Sequence, residues 1–390
     1  MKFDPDFDAL ILSAIELDVL GDQYTASRNT LSLLKEKGAR SEDVEPILAD
    51  FKKHAGKERE RFISAFETLV NPHCVAELHY TIAEHSITRS YLAWPQCEDM
   101  PLAVLSRRAD GFALTTRSTA ELESLLARVL AVEEGLASAN LSLGLPAVTT
   151  LVGLALMDAF RFSQLQSWLG HAAPAQRFST GDVVERLRDA ASNDFRWPLL
   201  FFDKILPDDV LASIEEEEVV QALRVLEDAG VLLSLADVEA GSDPGFFVFS
   251  DAGELIADGL LHAASKVGMR VSRLIADGEV GHEALLVVRD PNYLWLFDVA
   301  GQEGVIASLD RQAWKDLSRQ IFHPKFDLVD QIQIRADSPA EKDVQEKDEI
   351  RSAATVMQSD LEIQVVRCPK CASLVKPGTR FCSTCGASLE

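Results

Sequence analysis

The sequence predicts an α+β body on a central antiparallel sheet built in two like halves, flanked by helices and followed by a small metal-bound module. Three observations carry this. Residues 76–130 and 266–321 run through the same order of alternating, β-branched strand segments and a closing amphipathic helix. A helix, hairpin and helix lie in that order between them. Four cysteines near the C-terminus stand in two Cys-x-x-Cys pairs.

Residues 1–75 read as an N-terminal helical region. Leu10, Ile11, Ala14, Leu17 and Val19–Leu20 recur at helical spacing, followed by Leu31, Leu33 and Leu34 before Gly38. Ser41 with Glu42, Asp43 and Glu45 behind it marks a helix start, because negative side chains favour the positive end of the helix dipole. That segment runs toward Phe66 and Val70, and Pro72 ends it.

Residues 76–180 form the first half. Strands are expected near Leu78–Ala83, Ile87–Trp94, Leu102–Ser106 and Gly111–Thr116. Ser118 then caps a helix through Leu122, Leu125, Leu126, Val129 and Leu130, with Glu121 placed to close a capping box. The uncharged stretch Gly135–Met157 is interrupted by Gly144, Pro146 and Gly153, so it reads as a buried helix with its preceding loop rather than a membrane span.

Residues 181–335 form the second half. In 181–265, helix Glu216–Ala229 stops at Gly230, strand Val231–Leu235 follows, and a loop spans Asp237–Gly245. Strand Phe246–Phe249 returns, and Ser250 caps a helix through Leu255, Ile256, Leu260 and Leu261. This order resembles a winged helix. The helix in the recognition position carries Glu215–Glu218, Glu227 and Asp228 against the single Arg224, the wrong sign for a polyanion, so a scaffold for protein contacts is expected. In 266–322, strands are expected at Arg270–Ala276, Ala284–Arg289, Tyr293–Ala300 and Val305–Leu309. Asp310 caps a helix through Trp314, Leu317 and Ile321. Trp295, Phe297 and Trp314 are expected to pack where strand and helix face each other.

Residues 336–362 are a charged linker with little to bury, and 363–390 are the metal module. Cys368-Pro-Lys-Cys371 and Cys382-Ser-Thr-Cys385 give the spacing by which two turns aim four thiolates at one tetrahedral zinc ion. Gly378 and Gly386 fall where such turns need positive φ. A segment this short cannot fold on an apolar core, so the metal supplies its folding free energy. A closed four-sulfur site leaves no position for substrate, which makes this single zinc structural. At all four cysteines the segment resembles the short zinc-ribbon family.

The 390-residue chain is 47% hydrophobic and carries a formal charge of −24, a soluble globular composition whose field opposes phosphate backbones. Arg367, Lys370, Lys376 and Arg380 form one compact basic cluster, beside the thiolates. The remaining cysteines, Cys74 and Cys97, are too sparse for a disulfide framework, and the acidic N-terminus lacks the order of a signal peptide. A cytoplasmic location is expected. No phosphate-binding glycine loop, HExxH or GxSxG occurs. His73, Cys74, His79, His85 and Cys97 lie near one another in sequence but read as ordinary packed residues.

Ala222-Leu-Arg-Val-Leu-Glu-Asp-Ala-Gly-Val231 with the hairpin behind it, Ala284-Leu-Leu-Val-Val-Arg-Asp290 and Tyr293-Leu-Trp-Leu-Phe297 resemble the second half of EspG-type proteins. Ala103-Val-Leu-Ser106 through Thr119–Leu130 would be the companion half. The resemblance spans roughly 76–322. It implies a pseudo-symmetric α+β fold around a central antiparallel sheet, and the work of cytosolic chaperones of type VII secretion, which bind the helical tip of a secreted heterodimer. The helical N-terminal region and tethered ribbon depart from that family, and no binding residue carries over. The reading is a non-catalytic protein–protein interaction protein with protein partners, no catalytic residues and no organic cofactor. A winged-helix and zinc-ribbon regulator of transcription is the alternative. Limited proteolysis is expected to cut first between Asp337 and Ala354, where the sequence offers nothing to pack, and first cleavage within 76–322 would contradict a compact body there.

Overall fold

The computed structural model describes residues 1–24, 28–34, 41–82, 87–96, 100–109, 111–171, 177–189, 197–207, 210–235, 245–274, 280–323, 366–367 and 374–375. Residues Met1–Phe326 form one compact unit and Asp327–Glu390 another. In the first unit the strands are β1 (Lys2–Asp4), β2 (Ala9–Leu12), β3 (Cys74–Ile82), β4 (Ile87–Trp94), β5 (Leu102–Arg108), β6 (Gly111–Arg117), β7 (Ser142–Pro146), β8 (Phe178–Ser179), β9 (Leu232–Ser234), β10 (Phe246–Phe249), β11 (Ser265–Leu274), β12 (Val280–Arg289), β13 (Leu294–Ala300) and β14 (Glu303–Leu309). The helices are α1 (Ala14–Gln23), α2 (Ser41–Ala55), α3 (Arg59–Val70), α4 (Thr119–Val129), α5 (Ala147–Trp168), α6 (Thr180–Asp189), α7 (Pro198–Asp203), α8 (Glu216–Asp228), α9 (Asp251–Leu261) and α10 (Arg311–Phe322).

Eleven strands make one antiparallel sheet in the order β1-β2-β6-β5-β4-β3-β11-β12-β13-β14-β7. Outward from the β3–β11 pair it runs as two four-strand meanders, β3 to β6 and β11 to β14, followed in the chain by α4 and α10. The expected large sheet with flanking helices is therefore the architecture. Strand alternation assigns the two faces. On one, Ala76, Leu78, Met269 and Val287 pack with Leu122 and Leu126 of α4 and Trp314 and Ile321 of α10. The indole N–H of Trp94 on β4 donates to the Phe322 carbonyl at 3.1 Å, tying the end of α10 to the other meander.

The opposite face is covered in two patches. Val75, Ala93, Ala103, Leu105 and Leu114 lie under α1, α2 and α3. Leu286, Val288, Trp295, Phe297 and Ile306 lie under α5 and the helices after it. Runs such as Ala284-Leu-Leu-Val-Val288 are buried throughout because both faces are covered. Trp295 sits in the second patch and Trp314 on the other side of the sheet. Trp295, Phe297 and Trp314 are thus buried between strand and helix as expected, on opposite sides of the sheet.

Local chemistry sets the helix starts. The Ser118 hydroxyl accepts from the Glu121 N–H at 3.3 Å while the Ser118 N–H donates to the Glu121 carboxylate at 2.8 Å, a complete capping box. Asp310 accepts from the Ala313 N–H at 2.7 Å, and Ser250 from the Gly253 N–H at 3.2 Å. The N-terminal region departs from its all-helical expectation. Leu10, Ile11 and Leu12 form a strand paired with Leu114, Ala113 and Phe112, because Leu10 and Leu12 alternate into the core under the helices. An apolar run that short does not distinguish strand from helix. The segment from Ser41 to Val70 is two helices, parted at Gly56, whose φ is +50°. The uncharged stretch holds β7 as well as α5, and among the described residues no helix is long and apolar enough to cross a membrane.

A second, three-stranded sheet has the order β8-β10-β9. Beside it α8 buries Val219, Ala222, Leu223 and Leu226, leaving Glu215–Glu218 exposed. Gly268 of β11 lets α7 approach the main sheet: a Cβ there would stand 2.7 Å from the Phe201 ring and 3.1 Å from Ile205. Gly268→Val is expected to destabilise the protein by about 1–3 kcal/mol, read as a lower urea midpoint at unchanged slope.

Candidate functional site

The ionisable groups that converge inside the body do so on the central strand pair. In β3, Val75, Glu77, His79 and Thr81 share the face toward the patchwork of helices, and their partners on β11 are Ser272, Arg270, Gly268 and Lys266. The Glu77 carboxylate, 6% exposed, accepts three groups. His79 Nε2 stands 2.8 Å and an Arg89 guanidinium nitrogen 2.5 Å from Oε1, and Arg270 donates to Oε2 at 2.9 Å. The other arm of Arg270 donates to the Leu206 carbonyl at 3.1 Å, just past α7. Burial pushes the Glu77 carboxyl up, but the hydrogen bond from His79 and the charges of Arg89 and Arg270 outweigh it and hold the group below the usual range.

The pair Glu77–Arg270 has a positional meaning. In the first meander Leu78 faces Ser90, and in the second Val271 faces Glu283. The spacing that carries Leu78 to Val271 and Ser90 to Glu283 also carries Glu77 to Arg270, so the two occupy like places in the meanders and face each other.

A second buried acid holds α7. One oxygen of Asp158 on α5 accepts the Leu199 N–H at 3.0 Å, and Oδ1 has no hydrogen-bond partner among the described residues. Burial pushes Asp158 up to about 7, against the opposing pull of that N–H, Arg161, Lys266 and Arg186. Asp290 is fully engaged, taking the N–H groups of Asn292 and Tyr293 and the Trp295 indole at 2.6, 2.7 and 2.8 Å.

The residues the sequence singled out separate. Cys74 packs on the α4 side of the sheet and His79 on the other, so they form no couple. Burial pushes the Cys74 thiol up to about 11, which leaves it un-ionised at neutral pH. His85 and Cys97 lie outside the described residues, and among those described no three His, Cys, Asp or Glu side chains gather as metal ligands. Cys368, Cys371, Cys382 and Cys385 also lie outside the described residues. In that unit β15 (Val366–Arg367) pairs antiparallel with β16 (Leu374–Val375), and Cys368 and Cys371 fall between them in sequence. Sequence reasoning missed the Glu77 cluster. Its signal was the charge of Glu77, Arg89 and Arg270 inside otherwise apolar strand runs.

No family model matches the chain, and no curated protein does. Among solved structures, the type VII secretion system chaperone EspG5 of Mycobacterium tuberculosis, determined with the PE25-PPE41 dimer, aligns with a TM-score of 0.40 at 10% identity. It covers 80% of this chain and 94% of that one. A likeness at that level is too slight for a shared fold or function to follow from it.

Asp158 gives a pH test. Its folded pKa lies above its unfolded value, so its contribution is present below pH ~4 and is lost as pH rises toward ~7. Asp158→Asn keeps an acceptor for Leu199. Its stability relative to the native protein is expected to rise between pH ~4 and ~7 by roughly 2–4 kcal/mol and then level off, measured by urea unfolding across that range.

Proposed function

We propose that the chain is a non-catalytic protein–protein interaction protein, an adaptor or secretion-chaperone-like body. In this reading it works in the cytoplasm and carries a tethered ribbon held by one structural zinc ion at Cys368, Cys371, Cys382 and Cys385. The observation that carries the interaction reading is the C-terminal end of α5 and the residue after it, where Phe162, Trp168 and Leu169 are 38%, 56% and 69% exposed. Large apolar side chains exposed to water mark surfaces that meet partners. Arg186 lies 4.5 Å over the Phe162 ring, giving the surface the amphipathic character of such contacts. The engagement of Glu77 and Asp290 in holding the fold supports a body without acid–base catalysis.

The strand order around β3 and β11 supports two like halves related by an approximate two-fold. The order β8-β10-β9, with α6 and α8 between β8 and β9 in the chain, supports a winged-helix-like scaffold and so favours one second reading, a regulator of transcription. The exposed acids Glu215–Glu218 at the start of α8 weigh against nucleic acid as its target.

The full-length protein captured from its source is expected to bring down a stoichiometric polypeptide, and Trp168→Glu with Leu169→Glu to lose it at unchanged melting temperature. A double variant that retains the partner, or turnover abolished by one Asp or His substitution, would overturn the reading. A low-salt mobility shift by the full chain or by 360–390 would favour the regulator instead. Elemental analysis should find one zinc per chain, released by Cys371→Ser without altering the unfolding of the body.

A further inference from the structure

On the sheet face that carries Glu77, positive charge continues across neighbouring strands. The β4–β5 ladder ends at Ser90 facing Ser106, and Arg89 and Arg107 follow that last pair on the two strands. Arg107 is exposed and makes no ion pair among the described residues. The Arg89 side chain is 41% exposed and its guanidinium lies 5.2 Å over the Tyr91 ring, while its Nε is shielded from water with no acceptor among the described residues. Arg107, Arg89, Arg270 and Glu77 all lie close enough to act on the half-buried Tyr91 hydroxyl. At the far side, His282 of β12 is exposed and its Nδ1 is 2.9 Å from the Ser272 hydroxyl. Three guanidiniums against one carboxylate form this strip, in a chain of net charge −24.

The extent of the strip limits what it can take. From β5 to β12 is four strand spacings, about 19 Å, whereas a small anion meets groups within about 4 Å of itself. An extended polypeptide with acids at alternate residues offers a carboxylate every ~6.7 Å on one side. We propose that the strip from Arg107 through Arg89 and Arg270 to His282 docks an extended acidic segment of a partner polypeptide. This rests on the protein-interaction reading and names the chemistry of one partner segment.

The test is fluorescence anisotropy of labelled octaglutamate with the full-length, zinc-loaded protein at about 50 mM salt, where electrostatic binding is strong. Saturable binding is expected, weakened about tenfold or more by Arg107→Glu and lost at about 0.5 M salt. Arg319→Glu on α10, a side chain 71% exposed on the other side of the sheet, should leave it unchanged. Absence of binding, equal weakening by both variants, or tighter binding of an oligothymidylate of the same length would overturn the proposal. Failure here with the α5-dependent partner still captured would remove the strip alone. Octaglutamate binding without any captured partner would instead count against the broader reading.

Discussion

The pairing of β3 with β11 is the contact on which the main sheet depends. It joins two meanders that otherwise share no strand, through a register running from Cys74 opposite Arg273 to Ile82 opposite Ser265. The helical layers take their places from it. α4 reaches over both central strands on one face, and α7 approaches the other at Gly268 because that residue has no side chain. A one-residue slip in the register would turn Glu77 and His79 onto the apolar side with α4 and α10, and drive Ala76 and Leu78 among the arginines. Burial on both faces therefore specifies the register more sharply than backbone hydrogen bonding could.

The buried polar groups follow one rule: each carboxylate is placed where a segment of chain must be held. Asp290 gathers the turn between β12 and β13, Asp158 the start of α7, and Glu77 the middle of the sheet. They differ in how fully they are satisfied. Glu77 has three donors and remains charged, whereas Asp158 has a single N–H and an idle oxygen, and burial dominates it. Their pH dependences therefore have opposite sign, Asp158 losing its contribution as pH rises and Glu77 as pH falls.

Much of the architecture was legible in the sequence. Both meanders could be read from alternation, and the caps at Ser118, Ser250 and Asp310 from local hydrogen-bonding chemistry that needs no distant partner. What was not legible depended on contacts far apart in sequence. Leu10–Leu12 become a strand only because β6 supplies a free edge, and the short β7 only because β14 does. Trp295 and Trp314 fall on opposite sides through strand parity, which a difference of one residue decides. Glu77 looked like one acid among 62, and its role needs Arg270 from the other end of the chain. Cys368, Cys371, Cys382 and Cys385 lie outside the described residues, so the zinc proposed for them rests on local spacing alone.

Because Glu77 and Arg270 hold like places and oppose each other, this position also governs which edges can zip together. If β3 of one molecule met β3 of another in the same register, two glutamates would be driven face to face. If β11 met β11, two arginines would be. Homotypic assembly through these edges is discouraged at its midpoint, while the covalently linked mismatch of charge is rewarded. During synthesis, when β3 exists before β11 has been made, that lone carboxylate would guard an open edge against its own copies.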